Sequence, residues 1–190
     1  MKSPLFLILP LFLSACTVFE AIDDKPLRHL LESTVPDRTP TAAAPAVAIA
    51  LPSLPPYLER SELITRTGDG RLEIHENDLW SEPLDSAISR VLAENLRRLT
   101  SSTNVQPSAN FITRDYTHLV EIRIERFDPQ PDGVLLLECT WKLQPLGGGD
   151  AAPKSYRTTV PLPPTADRSA RIVAMNEALA RFSRVIAGKL

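Results

Sequence analysis

The sequence predicts a mixed α/β single domain, with a mixed, largely antiparallel sheet and two long helices packed on it. Three observations predict it. Residues 118–126, 135–143 and 156–160 alternate apolar and polar side chains with a period of two, as half-buried strands do. The links between them are short and rich in Pro, Asp and Gly, which suits an antiparallel meander with one face buried and one polar. Residues 84–99 and 168–188 instead repeat apolar positions every three or four residues, the period of a helix.

The chain opens with one positive charge, Lys2, followed by an apolar run over residues 5–13. A transmembrane helix needs about 20 apolar residues, so this run is too short to span. It has the length of the apolar core of a secretory signal. It ends Leu13-Ser14-Ala15-Cys16, which resembles the lipobox of bacterial lipoproteins. Small side chains at 14 and 15 admit a peptidase, and the Cys16 thiol can be alkylated by a diacylglyceryl group. The resemblance implies a signal peptide over residues 1–15, lipidation at Cys16 and a tether over residues 16–24. The domain then occupies residues 25–190. Each buried acyl methylene contributes roughly 0.8 kcal/mol and one chain anchors only marginally, so the two or three chains of a bacterial lipoprotein hold stably. Residue 17 is Thr and not the Asp that tends to retain lipoproteins at the inner membrane. That implies an outer-membrane anchor with the domain facing the periplasm.

The remaining elements follow in order. Residues 27–31 and 47–51 read as short strands, separated by a Pro-, Thr- and Ala-rich loop. Residues 63–66 and 72–75 flank Gly68-Asp69-Gly70, a strong hairpin signal. Pro83 fits the first turn of the helix over 84–99, where its missing N–H costs nothing, and Glu82 can complement the positive end of the helix dipole. The segment Asp128-Pro129-Gln130-Pro131-Asp132-Gly133 reads as the turn after the first long strand. With Cys16 lipidated, Cys139 has no intramolecular partner; it falls among alternating apolar residues and reads as a buried core thiol.

Composition and motifs exclude several classes of function. The formal net charge is −2, and losing residues 1–15 removes only the cation Lys2, taking it to −3. With no basic run longer than Arg97-Arg98, the chain is no nucleic-acid binder. Catalysis needs a nucleophile or metal held beside a base. His29, His75 and His118 are scattered, no metal-spaced pair occurs, and there is no G-x-S-x-G elbow. Gly147-Gly148-Gly149 is followed by Asp150, not by Lys and Ser or Thr, so it is a turn and not a phosphate cradle. The expectation is no catalytic residue, no metal and no cofactor.

Two stretches stand out. In the first, Pro52, Pro55 and Pro56 hold the backbone extended around Leu54, Tyr57, Leu58 and Arg60. In the second, Trp80 and Glu82 stand directly before the helix at Pro83-Leu84. These residues either pack on the core edge or form a docking surface, since Trp, Tyr and Arg dominate interface hot spots. The candidate docking set is Leu54, Pro55, Tyr57, Leu58, Arg60, Trp80 and Glu82.

The lipobox, the P-x-Y-L-x-R segment at Pro55 to Arg60, the Glu62-Leu63-Ile64-Thr65-Arg66 stretch and the W-x-E-P-L helix start at Trp80 to Leu84 together resemble the ABC-type transport auxiliary lipoproteins, the family of paraquat-inducible protein C (PqiC, YmbA). The resemblance implies a non-catalytic component that works with an MCE-domain protein (PqiB-like) and its membrane transporter component, moving lipid between inner and outer membranes. It also implies a homo-oligomer, in the form of a ring. The rival readings are a periplasmic lipid-binding carrier, which requires a sizeable apolar cavity, and a structural envelope lipoprotein.

Overall fold

The structure, a computed structural model, describes residues 25–39, 46–110, 115–149 and 151–190. The expected signal peptide, Cys16 and the tether lie outside these residues. The mixed α/β domain has two mixed sheets rather than one, and two long helices. Strands β1 (Leu27–His29), β3 (Glu62–Arg66) and β4 (Leu72–Trp80) form the smaller sheet in the order β1-β4-β3. Strands β2 (Val47–Ile49), β5 (Val105–Pro107), β6 (His118–Pro129), β7 (Val134–Pro145) and β8 (Lys154–Pro161) form the larger, in the order β5-β2-β6-β7-β8. Helices α1 (Leu84–Thr100) and α2 (Arg168–Ala187) pack on the larger sheet and on each other.

The antiparallel meander β6-β7-β8 stands where the alternation puts it. The parallel pairs were not legible. Strand β2 runs parallel to both β5 and β6. Parallel neighbours need a long crossover, and the excursion from Ile49 through the smaller sheet and α1 to Val105 provides it. Strand β5 has three residues and carries no periodic signal, so the sequence reading passes over it.

The hairpin forms at Gly68-Asp69-Gly70. Asp69 and Gly70 both adopt left-handed backbone, φ 62° and 74°, which Gly tolerates freely and Asp better than most residues. Its second strand runs on to Trp80, so the segment before the helix is itself strand. Pro83 is the N-cap of α1, one residue outside the first turn where the sequence placed it. The helix ends at Ser101, which is left-handed at φ 54° and donates its N–H to the Arg97 carbonyl.

One core cluster holds the layers together. Val120, Ile122 and Ile124 of β6 and Leu135, Leu137, Cys139 and Trp141 of β7 meet Leu92 and Leu96 of α1 and Leu179 and Phe182 of α2. Phe182 meets Trp141 edge-on at 5.7 Å and stacks on Tyr156 at 4.8 Å. Cys139 is fully buried, and burial pushes its thiol up to about 12. Strand β6 carries a bulge: Ile124 pairs with Cys139 and Arg126 with Glu138, leaving Glu125 unopposed. The bulge reverses the parity of the strand. Before it the even residues face the core, and after it Phe127 does. The chain therefore turns at Gln130–Gly133, and Asp128 and Pro129 belong to the strand.

Candidate docking cleft

The two proline-flanked stretches come together at the end of β4. The Trp80 N–H donates to the Ser61 carbonyl at 2.7 Å, and the Ser81 N–H donates to the His29 carbonyl at 2.8 Å. These bonds fix the start of α1 against the segment that follows β2. That segment makes a single 3-10 turn at Pro56–Leu58, entered through extended Pro55 and closed by the Leu58 N–H on the Pro55 carbonyl at 2.9 Å. Between the segment and the helix start lies an open cleft of about 500 Å³. Leu54, Trp80 and Leu84 supply apolar walls, and Glu59, Arg60, Glu82 and Asp85 supply charge.

Of the seven residues singled out in the sequence, Leu54, Arg60, Trp80 and Glu82 line this cleft. Trp80 is 7 % exposed and Leu58 4 %, so both are part of the core, Trp80 with one side open to the cleft. Pro55 sets the turn. Glu82 accepts from Arg90 Nε at 3.0 Å, one helical stretch ahead, so its charge is spent on a side chain of α1 as well as on the helix end.

Tyr57 turns away from the cleft toward β6. Its hydroxyl donates to Asp128 Oδ1 at 2.9 Å, and the Arg66 guanidinium lies over its ring at 5.3 Å. Arg66 Nε and Gln130 Nε2 donate to Asp128 Oδ2 at 2.9 and 2.7 Å. Asp128 is thus fully buried with both oxygens bonded, as a buried carboxylate must be. Burial, then the Asp128 charge and hydrogen bond, push the Tyr57 hydroxyl up to about 12. Sequence reading missed Asp128 because it looked like a turn residue. The break in alternation after Ile124 was the available signal.

Each histidine has a polar partner among the described residues. His29 Nε2 meets the buried Asp78 Oδ1 at 2.8 Å, and Arg168 of α2 also pairs with Asp78. Arg171 of α2 donates through Nη1 to Thr65 Oγ1 at 2.7 Å and to His75 Nε2 at 2.9 Å. Burial, then the Arg171 charge, holds His75 below the usual imidazole range. His118 Nδ1 contacts the hydroxyl of its neighbour Thr117 at 2.9 Å. No group of three or more His, Cys, Asp or Glu among the described residues is arranged to hold a metal ion. The uncovered face of the larger sheet carries surface pairs such as Lys142–Glu121 at 2.7 Å, each worth a few tenths of a kcal/mol to about 1.

Comparison with known proteins gives a consistent picture. The family model of the ABC-type transport auxiliary lipoprotein component matches residues 29–187. A solved uncharacterized protein aligns with a TM-score of 0.69 and 17 % identity, over 87 % of this chain and 98 % of that one. A Xanthomonas campestris protein of the DUF330 family aligns with a TM-score of 0.66 and 17 % identity, over 85 % and 93 %. Both share the fold. A PelC dodecamer subunit from Paraburkholderia phytofirmans is more distant, with a TM-score of 0.42 and 14 % identity over 78 % and 90 %. No curated protein matches the chain.

Proposed function

The chain belongs to the ABC-type transport auxiliary lipoprotein family, and from that premise we propose that it is a non-catalytic docking component of an MCE-type lipid transport system. In this reading residues 1–15 are removed, Cys16 carries the lipid, and the domain hangs from the outer membrane into the periplasm. The partners are a PqiB-like MCE-domain protein and its membrane transporter component. The observation that carries the reading is the open cleft into which the Pro-rich segment and the start of α1 both contribute side chains. Pro52, Pro55 and Pro56 leave that segment little conformational entropy to lose on binding.

The carrier reading has less support. Tyr57, Leu58, Trp80, Phe127 and Met175 line a narrow cavity of only about 20 Å³ between the sheets. A ligand pocket is typically about 300 Å³ or more. The large cleft is open and rimmed by carboxylates, a setting suited to a polypeptide surface more than to an acyl chain. The test is affinity capture of the tagged lipoprotein from envelopes, with both protein and lipid identified. Co-capture of an MCE-domain protein supports docking; stoichiometric lipid without any MCE protein overturns it in favour of a carrier. A ring of identical subunits fits this reading, and light scattering at several concentrations, with and without partner, tests it: a monomer throughout removes the ring.

A further inference from the structure

We propose that the cleft receives a partner segment in which a bulky apolar side chain is followed closely by Lys or Arg, an inference that rests on the docking reading and names its chemistry. The walls decide the first half. Leu54, Trp80 and Leu84 present apolar surface from three different elements, and Trp80 and Leu84 are seated too firmly in the core to close over it. An aliphatic or aromatic side chain fills such a space, and burying it contributes most of what a hot spot supplies.

The rim decides the second half. Glu59, Glu82 and Asp85 line the cleft against a single cation, Arg60. Arg60 is held toward Glu62, Nε to Oε2 at 3.4 Å. Arg90 answers Glu82, leaving two carboxylates without a cation. Glu59 is exposed and makes no ion pair with any described residue. Asp85 spends Oδ1 on the Ser86 N–H at 2.6 Å, a helix-start bond that does not cancel its charge. An acidic segment would meet like charge on both sides of the apolar floor. A basic one would find a carboxylate on each, and opposed potentials across an interface fix register and raise the association rate.

The test uses the intact lipoprotein. A photo-crosslinking amino acid at Ser81, an exposed residue of the cleft lining, captures the occupant in cells, and mass spectrometry reads the crosslinked peptide. The expected peptide carries Leu, Ile, Met or Phe within two or three residues of Lys or Arg. A synthetic copy and its Lys/Arg→Ala version are then titrated onto the lipoprotein in phosphatidylcholine nanodiscs. Glu59→Gln with Asp85→Asn keeps the shape and the Ser86 bond but removes both charges. We expect about tenfold weaker binding of the basic peptide to that variant, as close charge pairs contribute, and no further loss for the Ala peptide. A captured peptide lacking Lys and Arg, or equal affinity for wild type and the neutral variant, overturns the basic occupant while leaving docking intact. No crosslink from Ser81, or only crosslinks to a second copy of this chain, overturns the docking of a separate partner here and the inference with it.

Discussion

Tyr57 and Asp128, 71 residues apart, are joined by a hydrogen bond of 2.9 Å that ties the Pro-rich segment to the far end of β6. Arg66 completes the tie from the smaller sheet. Tyr57→Phe removes one bond to a charged group and leaves Asp128 its other two donors, so we expect a loss of about 1.5–3 kcal/mol. Asp128→Ala strands Arg66 and should cost about 3–5 kcal/mol. Chemical denaturation measures both. The folded Tyr57 pKa, about 12, exceeds its ordinary 10.0, so its contribution is full below pH 10 and fades as pH rises toward 12. Cys139 acts in the same sense from its ordinary 9.0. The denaturation midpoint should therefore fall above pH 9, less steeply above pH 10 in Tyr57→Phe.

Packing and docking separate within the cleft. Trp80→Ala and Leu58→Ala remove buried side chains and should lose about 3–5 and 2–5 kcal/mol. Glu59→Gln and Arg60→Ala alter exposed positions and should stay within about 0.5 kcal/mol of wild type. Partner affinity is read on the second pair, whose fold is intact. Unchanged affinity in both would show that neither charge contributes to binding, leaving the apolar walls as the test of docking.

His75 couples the smaller sheet to α2 through Arg171. Its folded pKa lies below the unfolded value near 6.5, so the folded protein resists taking the proton that the unfolded chain accepts. Stability is full above pH 6.5 and falls as acid is added through the folded pKa. Arg168, Arg171, Glu73 and Asp78 all act on this ring, the arginines lowering its affinity for the proton and the carboxylates raising it. His75→Gln should flatten thermal midpoints between neutral and mildly acid pH. A slope as steep as wild type would assign the effect elsewhere.

The proposed outer-membrane anchor rests on Leu13-Ser14-Ala15-Cys16 and Thr17. Cys16→Ala should accumulate as an unprocessed species or leave the outer-membrane fraction, and Thr17→Asp should move the protein inward. Mature Cys16→Ala protein in the outer membrane would refute lipidation at this residue.

The legible parts of the fold were those governed by local periodicity. The helix over 84–99 follows from Leu84, Ile88, Val91, Leu92 and Leu96, all buried as their spacing requires. The meander follows from Leu135, Leu137, Cys139 and Trp141. The parallel partners of β2 depend on contacts across a long crossover and leave no mark in three residues of sequence. The bulge at Glu125 hid Asp128, since the period-two reading ends where the parity changes. At the cleft, composition and proline spacing picked out Leu54, Arg60, Trp80 and Glu82, which lie around one space. They did not reveal that Tyr57 faces away, because its partner sits on a strand 71 residues downstream.

The extra residue at Glu125 makes β6 common property. Upstream of it the strand completes the larger sheet, with Ser53 bridged to Arg123. Downstream of it Asp128 receives Arg66 from the smaller sheet. The two sheets are therefore joined through β6 as well as through the segments that connect them. Losing the smaller sheet would strand a buried carboxylate; losing one residue from the strand would carry Phe127 to the outside. A change of length in β6 should therefore cost more stability than one in the loops.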